Sequence, residues 1–419
     1  MTFTPKHTPL YQWHKQNGAN MGIFAGYEMP LWYPSGAKKE HISVITRAGL
    51  FDTSHMAVII LKGPGALDIL QYLFSKDLTR WNNTPDLPMP EGRCVYGIFL
   101  DSSGGVMDDA LLYRISTDTF MIVVNAGMGE KISEHFNAHK KGHLVEIQNL
   151  TDQVAKIDVQ GPLSARLLAG QIQNSENILS NLSYFGFRGY LDKFMTSSDP
   201  VLLRDGTRVL LSRTGYTGEL GFELFFDYTL LETVWQGLLE AGAPFNLQPC
   251  GLAARDSLRT GALLPLSHQD IGSWLYLRNP WVFALPYIKG KTEFSKKFIA
   301  ADALEKGGET DYTIAFAGFD LRKIMPERGS VFYPPGNKIG TVLTCVTDMA
   351  IGRVNNRIYS MGSPGKPADF SPRGLCCGYV KVNTFLQIGT IITLADDRRR
   401  IEVMITDNIR PHGTARVRI

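Results

Sequence analysis

The chain lacks three features that would place it in a specialised class of protein. No apolar run approaches the roughly 18 residues that a membrane span requires, and the opening residues, MTFTPKHTPLYQ, contain no apolar core typical of a secretory signal. The basic residues form no long block, and a formal net charge of +3 is too small for a nucleic-acid surface. These absences predict a cytoplasmic protein that binds neither membrane nor nucleic acid.

Cysteine is scarce, and its spacing fits no metal or redox motif. The five cysteines include no Cys-x-x-Cys pair, and an odd number in a chain of 419 residues argues against a disulfide framework. Cys376 and Cys377 are adjacent in the strand-like GLCCGYVKV, so their side chains should point to opposite faces. We therefore expect the cysteines to pack in the core.

Two histidines four residues apart raise the question of a metal site. His135 and His139 lie in KISEHFNAHK, a spacing that could bring both imidazoles to one ion on a helix. No glutamate of a His-Glu-x-x-His motif accompanies them, and the flanking Lys, Asn and Glu are typical of an exposed helix face. The sequence therefore predicts no bound metal.

Two segments of the chain resemble each other. AVIILKGPGALDILQYLF (57–74) and AKIDVQGPLSARLLAGQI (155–172) each read as an apolar strand, then Gly-Pro, then an amphipathic helix. Pro64 and Pro162 are expected in the first helical turn, where a missing N–H costs nothing. Further strands and a second helix follow each copy. This order predicts two related split β-α-β (ferredoxin-like) halves, with helices on one face of a mostly antiparallel sheet.

The last third of the chain has a different pattern. Beyond about residue 310 the helical period disappears, and short strand-like runs follow one another, which predicts a small antiparallel β-barrel or sandwich. The segment 351–370 is rich in Gly, Pro and Asn and is expected to be a long inserted loop. We predict an α+β protein with a first half at 1–150, a second half at 151–305 and a C-terminal β-barrel at 306–419.

The stretch GGVMDDALLYR (104–114) places two adjacent carboxylates in an otherwise apolar strand. Because strand side chains alternate, Asp109 shares a face with Leu111 and Tyr113, while Asp108 shares the other with Ala110. One carboxylate must therefore lie against apolar groups. Both aspartates could simply flank a hairpin turn. A carboxylate held beside apolar groups could instead act as a base or stabilise a cation.

A second acidic residue interrupts an apolar strand in SRTGYTGELGFELFF (212–226). Glu223 stands among Phe222, Leu224 and Phe226, and burial of its carboxylate demands a partner. Two oxygens match two parallel N–H groups, so the partner could be an arginine in a buried salt bridge, or the amidine edge of a pterin.

PCGLAARDSLR (249–259) predicts a helix that begins after Pro249. Arg255 and Arg259 stand one turn apart on its surface. The two guanidinium groups could clamp a carboxylate, or they could pair with Asp256 and surface acids.

Together these stretches resemble the folate-dependent aminomethyltransferase family, whose type member is the T-protein of the glycine cleavage system. The matching motifs occur in the family's order over nearly the whole chain: TPLYQWHKQNGANMGIFAGYEMP (8–30), YPSG (33–36), AGLFDTSHM (48–56), GGVMDD (104–109), VVNAG (123–127), SRTGYTGELGFEL (212–224) and PCGLAARDSLR. Seven motifs in order are far more specific than any one of them.

The resemblance implies the fold, the co-substrate and the site. The two halves and the barrel would surround a central opening that holds tetrahydrofolate. Asp109 matches the family's catalytic aspartate near the folate nitrogen N10, and Glu223 matches the glutamate that binds the pterin edge. The other positions expected to line the folate pocket are Met56, Tyr96, Tyr113, Asn125, Tyr184, Tyr216 and Arg255.

The departures from the family concern the one-carbon donor. Thr260-Gly261-Ala262 replaces the usual Leu-Glu-Ala, and Ser267-His268-Gln269 replaces Gly, then His or Gln, then an acid. The acid expected after Asn279-Pro280-Trp281 is also missing, and Pro286 stands beside the place of a usual tryptophan. The segment 260–286 is expected to shape the donor entrance, where it has lost acids and gained Trp281 and Pro286. Fewer carboxylates and more apolar surface suit a small methylated compound better than an aminomethyl cation.

Three functions are therefore compared. The first is transfer of an aminomethyl group from the lipoyl arm of a carrier protein to tetrahydrofolate. The second is a tetrahydrofolate-dependent demethylase of a small methylated amine, sulfonium or methoxy compound. The third is a folate-binding protein without transferase activity, like the relative that assists iron–sulfur cluster assembly. That relative's Lys-Gly-Cys-Tyr-x-Gly-Gln-Glu signature is missing and Asp109 is retained, so we expect an enzyme.

Overall fold

The computed structural model describes residues 4–191, 199–308, 311–334 and 336–419. Within these ranges the α-helices are α1 Tyr11–Gln16, α2 Ala37–Thr46, α3 Ala66–Leu73, α4 Gly129–His139, α5 Ser164–Ala169, α6 Ser175–Ser180, α7 Leu231–Gly242, α8 Leu252–Gly261 and α9 Ala301–Lys306. Short 3-10 turns lie at Trp81–Asn83, Tyr228–Leu230, Ala243–Phe245, Val282–Ala284 and Pro326–Arg328.

The strands form two large sheets, one barrel and two separate hairpins. They are β1 Asn20–Phe24, β2 Tyr27–Trp32, β3 Gly49–Asp52, β4 Ala57–Lys62, β5 Arg93–Leu100, β6 Val106–Arg114, β7 Thr119–Val124, β8 Glu146–Asn149, β9 Val154–Gln160, β10 Phe187–Gly189, β11 Val201–Leu202, β12 Arg208–Ser212, β13 Gly221–Asp227, β14 Gln248–Pro249, β15 Tyr312–Gly318, β16 Ser330–Phe332, β17 Lys338–Asp348, β18 Ile351–Val354, β19 Arg357–Ser360, β20 Leu375–Val382, β21 Ile391–Ala395 and β22 Arg400–Ile405.

The internal repeat folds as predicted into two strand-turn-helix units. β4 leads through Gly63 into α3, and β9 leads through Gly161 into α5, with glycine φ angles of 134° and 127°. A Cβ at Gly63 would lie 2.4 Å from Leu144 O, and one at Gly161 would lie 2.5 Å from Arg47 O. Only glycine fits this turn. The helices begin two residues after each proline, rather than at it as predicted, so the prolines stiffen the approach to each helix.

The first sheet has the strand order β5-β6-β7-β4-β8, and every neighbouring pair is antiparallel. Its inward alternate residues, such as Ile59, Leu112 and Ile122, pack against α3 and α4 in one buried cluster. The second sheet has the order β10-β12-β13-β9-β3-β14, with β11 beside β12. Helices α5 and α7 cover one of its faces. The helices therefore lie on one face of each sheet, as the sequence predicts.

The two sheets do not follow the chain as two consecutive halves. β3 lies in the predicted first half but pairs antiparallel with β9 of the second sheet, and β14 adds a parallel strand beside β3. The N-terminal part of the chain therefore contributes β3 to the second sheet and β4 to the first. The predicted domain limits at 150 and 305 stay predictions.

The faces that the helices leave free pack against each other. Val58, Ile60 and Tyr113 of the first sheet share a buried cluster with Leu210 and Phe225 of the second. Because strand residues alternate, the same two faces carry polar side chains beyond this apolar cluster. The candidate site residues on strands β5, β6 and β13 lie on these faces.

The C-terminal strands close into an antiparallel barrel in the order β15-β20-β17-β16-β21-β22. Cys376 and Cys377 of β20 belong to different buried clusters, as expected for opposite faces of a strand. All five cysteines are buried and unbridged. No helix within the described ranges combines the length and the apolar character needed to cross a membrane.

The segment 351–370 is only partly the inserted loop that its composition predicts. Residues 351–360 form the hairpin β18–β19. Its tip is Asn355-Asn356, with φ angles of 49° and 62°. Asparagine tolerates the left-handed conformation that a tight two-residue hairpin turn requires, so the two asparagines are a hairpin signal rather than a loop signal.

Buried charges fasten the barrel to the rest of the molecule. Asp348 of β17 accepts a hydrogen bond from Arg410 Nη1 at 2.5 Å, and His41 Nε2 of α2 lies 3.0 Å from its other oxygen. Burial alone would raise the pKa of Asp348, but the charges of Arg410 and His41 hold that pKa well below its ordinary value. The carboxylate thus joins the barrel, an N-terminal helix and the C-terminal segment.

Candidate active site

The two acidic motifs project from facing sheets into one interface. Asp109 and Tyr113 of β6 lie on the face that meets the second sheet, whereas Asp108 points with Ala110 and Leu112 toward the helices of the first. Asp108 is fully buried and Asp109 is partly exposed. Alternation in the sequence therefore predicted correctly that one aspartate would be buried among apolar groups.

Two side chains hold Asp109. The Tyr96 hydroxyl donates to Asp109 Oδ2 at 2.8 Å, and Asn125 Nδ2 donates to Oδ1 at 2.6 Å. The same Asn125 amide donates to Asp108 Oδ1 at 2.7 Å, and the Asn125 backbone N–H donates to Asp108 Oδ2 at 2.9 Å. An amide nitrogen has two hydrogens, so one asparagine satisfies one oxygen on each carboxylate. The buried Asp108 thereby fixes the residue that orients Asp109.

Two carboxyl groups this close cannot both ionise freely. Burial, and then the neighbouring Asp108 charge, raise the pKa of Asp109 to about 7, although Tyr96 and Asn125 favour the ionised form. Burial also raises the pKa of Asp108. The protons of such a pair belong to the pair rather than to either residue. Near neutral pH, Asp109 can therefore both accept and donate a proton.

Glu223 is buried, and a lysine rather than an arginine neutralises it. Lys156 Nζ of β9 donates to Glu223 Oε1 at 2.7 Å, and Thr214 Oγ1 donates to Oε2 at 2.6 Å. Tyr113 reaches across from the first sheet and donates to Oε2 at 3.3 Å. The arginine salt bridge weighed for Glu223 is wrong, because the neighbouring strand already supplies the cation.

A second carboxylate completes this ionic network. Lys156 Nζ also donates to Asp158 Oδ1 at 2.5 Å, and Arg255 Nη1 donates to Asp158 Oδ2 at 2.7 Å. Thr53 Oγ1 donates to Asp158 Oδ1 at 2.9 Å. Lys156 and Asp158 were not predicted as site residues. A signal for them exists, because AKIDVQ alternates apolar and polar residues in the same way as the motifs of Asp109 and Glu223.

The two arginines of α8 do not act as one clamp. Arg255 meets the buried Asp158, and its guanidinium carbon lies 4.9 Å from the centroid of the Tyr216 ring. Arg259 is fully buried and pairs with Asp256 and Asp270. The predicted pairing with Asp256 is correct for Arg259, although its second partner, Asp270, is buried rather than a surface acid. Arg255 belongs to the ionic network.

The remaining predicted residues take different places. Tyr216 lies against Arg255 and donates its hydroxyl to Pro265 O. Met56 packs against the apolar cluster between the sheets, which contains Tyr113. Tyr184 packs on Phe185, which borders the same apolar cluster, and the guanidinium of Arg416 lies 5.4 Å from its ring centroid. The structure thus groups Tyr96, Asp109 and Asn125 in one cluster, and Tyr113, Glu223, Arg255 and Tyr216 in another.

His55 is a further polar group beside the ionic network. It is 4% exposed, and its Nδ1 is buried without a hydrogen-bond partner among the residues that the structure describes. Burial lowers its pKa to about 4, despite the nearby Asp52 charge, so the imidazole is neutral at physiological pH. His55 lies in the AGLFDTSHM motif, which was noted in the sequence without a role for this residue. A buried, unpaired nitrogen is a candidate contact for a ligand.

Two buried carboxylates lie in or beside the segment 260–286, in which acids typical of the family are missing. Asp270 is fully buried, pairs with Arg259 and accepts a hydrogen bond from the Leu266 backbone N–H at 2.9 Å. A Cβ at Gly261 would lie 2.0 Å from Asp348 Oδ2, so a barrel carboxylate fills the space next to that position. Both carboxylates are paired with a buried arginine, Asp270 with Arg259 and Asp348 with Arg410, so neither replaces the missing acids.

The expected gain of apolar entrance surface at Trp281 is wrong. Trp281 is 1% exposed, donates Nε1–H to Leu263 O at 2.8 Å and packs on Tyr379. It is a core residue, because an indole buried with its N–H satisfied fills space under the barrel. Phe283 is the exposed ring of this region, with its centroid 6.1 Å from that of Tyr96.

Comparison with known proteins agrees with this architecture. The GCVT N-terminal domain model matches residues 10–275. Aminomethyltransferases from Geobacillus sp. (strain WCH70) and Caldanaerobacter subterraneus subsp. tengcongensis are 34% and 35% identical over 340 and 341 residues. Each alignment covers 81% of this chain, and 86% and 83% of the respective relatives.

A solved structure shows the same fold. The glycine cleavage system aminomethyltransferase T from Bartonella henselae superposes with a TM-score of 0.73 and 27% identity, covering 96% of this chain and 97% of the other. The chain has two facing β-sheets with helices on their outer faces and a closed barrel. Together with these relatives, this fold defines a transferase. The chain belongs to the folate-dependent aminomethyltransferase family.

The raised pKa of Asp109 predicts how stability depends on pH. Between about pH 4, where an unfolded carboxyl titrates, and pH 7, only the folded state keeps the proton. The free energy of unfolding should therefore fall as pH rises through this window. In Asp109→Asn this fall should shrink by about 1–3 kcal/mol, because the titrating group is gone. Urea unfolding at several pH values measures it.

Asp68→Asn, on the exposed face of α3, is the matched control and should keep the full dependence. Identical pH dependence in the wild type and Asp109→Asn would show that Asp109 titrates in its ordinary range.

Proposed function

We propose that this enzyme moves a one-carbon group from a donor to tetrahydrofolate, with Asp109 as the catalytic carboxylate. The observation that carries the proposal is the carboxyl of Asp109, which two donors hold and whose pKa is raised to about 7 by burial and by Asp108. General acid–base catalysis is most effective when the pKa of the catalytic group lies near the working pH. Tyr96 and Asn125 hold this carboxyl by both oxygens, which fixes its direction.

The second cluster fits the pterin part of folate. A pterin offers two N–H donors on one edge, and a carboxylate accepts such a pair in parallel. Glu223 is the buried carboxylate that would do so, at the cost of rearranging its bonds to Thr214 and Tyr113. Asp109 and Tyr113 are four residues apart on one strand face, which corresponds to about 13 Å. An elongated ligand could therefore meet both clusters.

Arg255 would meet the anionic glutamate tail of folate. A guanidinium carries five N–H donors, and Arg255 uses one of them on Asp158. Stacking on Tyr216 holds the guanidinium plane in place. Met56 would contact the ring system, and Tyr184 would line a more distant part of the pocket.

In the reaction, bound tetrahydrofolate would supply the nitrogen nucleophile that receives the one-carbon group. Ionised Asp109 would stabilise positive charge on that group, and its apolar surroundings strengthen this field by limiting water. Protonated Asp109 would deliver a proton to the departing part of the donor. Asn125, which Asp108 holds in place, would keep the Asp109 carboxyl in one orientation in its protonated and its ionised form.

For the donor, we propose an aminomethyl group on the lipoyl arm of a carrier protein. The Bartonella henselae structure belongs to a glycine cleavage system, which supports this assignment. An altered donor was predicted from lost acids and a gained apolar surface, but Trp281 is buried and adds no such surface. Asp270 and Asp348 are buried in ion pairs with Arg259 and Arg410, so they do not replace the missing acids. Demethylation of a small methylated amine, sulfonium or methoxy compound is the alternative, supported by the exposed Phe283 beside Tyr96.

Folate affinity should depend on Glu223. Glu223→Gln keeps the side-chain shape but presents an N–H₂ group to a ligand that also donates, so tetrahydrofolate binding should weaken about ten- to a hundredfold. Isothermal titration calorimetry measures the change, with Glu240→Gln on the exposed face of α7 as control. Unchanged affinity in a folded Glu223→Gln protein would remove Glu223 from the folate site.

The donor and the catalytic residue can be tested in one turnover assay. The purified enzyme is incubated with tetrahydrofolate and either aminomethyl-lipoyl carrier or a panel of methylated amines, sulfoniums and methoxy aromatics. Mass spectrometry identifies the folate product. We expect methylene-tetrahydrofolate and ammonia from the carrier. Methyl-tetrahydrofolate from a panel member, with no product from the carrier, would support the demethylase instead.

In the same assay, Asp109→Asn should lower kcat by about a hundredfold or more, because a positioned acid–base group is lost. Folate affinity should change little. Asp108→Asn is the matched neighbour and should cost less, since Asp108 acts on Asp109 only indirectly, through its charge and through Asn125. A larger loss in Asp108→Asn than in Asp109→Asn would reverse the assignment of the two carboxylates.

A further inference from the structure

Lys156 is the buried cation at the centre of the interface between the sheets. Its side chain is 3% exposed, and its Nζ lies 2.7 Å from Glu223 Oε1, 2.5 Å from Asp158 Oδ1 and 3.2 Å from Thr53 Oγ1. Taking an ammonium out of water is costly, and a buried ion pair is often no more stable than apolar residues in its place. Packing alone therefore gives little reason for a lysine here.

Glu223 and Lys156 together present an acceptor directly beside a donor. The amide edge of a pterin has the complementary order: the 2-amino group and N3–H donate, and the adjacent O4 carbonyl oxygen accepts. A carboxylate alone satisfies the two donors and leaves O4 without a partner. An ammonium 2.7 Å from that carboxylate is close enough to it to be the donor that O4 needs.

We propose that Lys156 donates a hydrogen bond to O4 of the pterin ring bound at Glu223, and so determines which heterocyclic edge the site accepts. The inference rests on the proposed function, because it takes Glu223 as the pterin-binding residue. It adds a specificity-determining residue on β9, a strand of the second sheet, beside the residues matched to the family.

The contacts of Lys156 allow it to take this partner. An ammonium has three N–H donors, and the bond to Thr53 is the longest of its three. Thr53 keeps other bonds if Lys156 turns away, because its hydroxyl also contacts Asp158 and the Lys156 carbonyl oxygen. Lys156 can therefore exchange Thr53 for O4 and keep both carboxylates.

Asp158 keeps the ammonium in place during this exchange. It is fully buried between Lys156 and Arg255, and these two charges outweigh the burial that would otherwise raise its pKa, so that its pKa lies below the ordinary value. Asp158 is thus a positioning residue. The Phe225 ring, with its centroid 5.7 Å from Lys156 Nζ, closes the other side of the ammonium.

The test observes the C4=O bond of the ligand directly. Isotope-edited infrared spectra compare free and bound tetrahydrofolate carrying ¹³C at C4. A charged donor polarises the carbonyl, so the C4=O band should move to lower frequency on binding to the wild type. In Lys156→Met, which keeps the side-chain length, most of this shift should be lost. Affinity should fall about tenfold or more, as expected for a charge-assisted bond.

Lys62→Met on β4 is the matched control, since Lys62 is an exposed strand lysine. It should leave both the band and the affinity unchanged. Lys156→Gln keeps a neutral amide donor and should give an intermediate band shift. A lysine with a merely structural role would lower affinity in Lys156→Met without altering the frequency of the bound carbonyl.

The outcomes separate this inference from the proposed function. No low-frequency shift in the wild type, or an equal shift in Lys156→Met, would overturn the role of Lys156 while leaving folate binding at Glu223 intact. If the wild type does not bind tetrahydrofolate at all, the proposed function itself fails. If Lys156→Met does not fold, the wild-type band and the intermediate shift in Lys156→Gln decide the matter.

Discussion

The contact between the two sheets is the constraint on which the site depends. Each sheet buries one face under helices, and the other faces meet through an apolar cluster that contains Tyr113 and Phe225. Alternation along the strands forces whatever is polar on those faces into the same interface. Asp109 from one sheet and Glu223 from the other are thereby brought into one region. The Tyr113 hydroxyl, which bonds to Glu223, is the direct link across it.

Charge balance then decides what each carboxylate can do. Lys156 pairs with both Glu223 and Asp158, and Arg255 pairs with Asp158, so these two carboxylates meet opposite charge. Among the residues that the structure describes, Asp109 has no ion-pair partner, and burial, followed by the charge of Asp108, raises its pKa to about 7. Neighbouring acids in one interface thus have different electrostatic surroundings, because one pair meets opposite charge and the other meets like charge.

Sequence periodicity predicted the fold well and the site in part. The repeated strand, Gly-Pro and helix pattern identified both halves, and alternation placed Asp109 and Tyr113 on one face. Lys156 and Asp158 were missed because their ion-pair partners, Glu223 and Arg255, are far away along the chain. Trp281 was taken for entrance surface because composition cannot tell a buried indole from an exposed one. The asparagine turn at 355–356 was misread because its backbone conformation, not its polarity, makes the hairpin.

The most direct test of the account is a crystal structure of the enzyme with bound tetrahydrofolate. The account predicts the pterin edge within about 3 Å of Glu223 and Lys156, and the reacting nitrogen on the side of Asp109. A pterin ring bound elsewhere, with the Lys156–Glu223 pair intact and out of reach of the ligand, would contradict it.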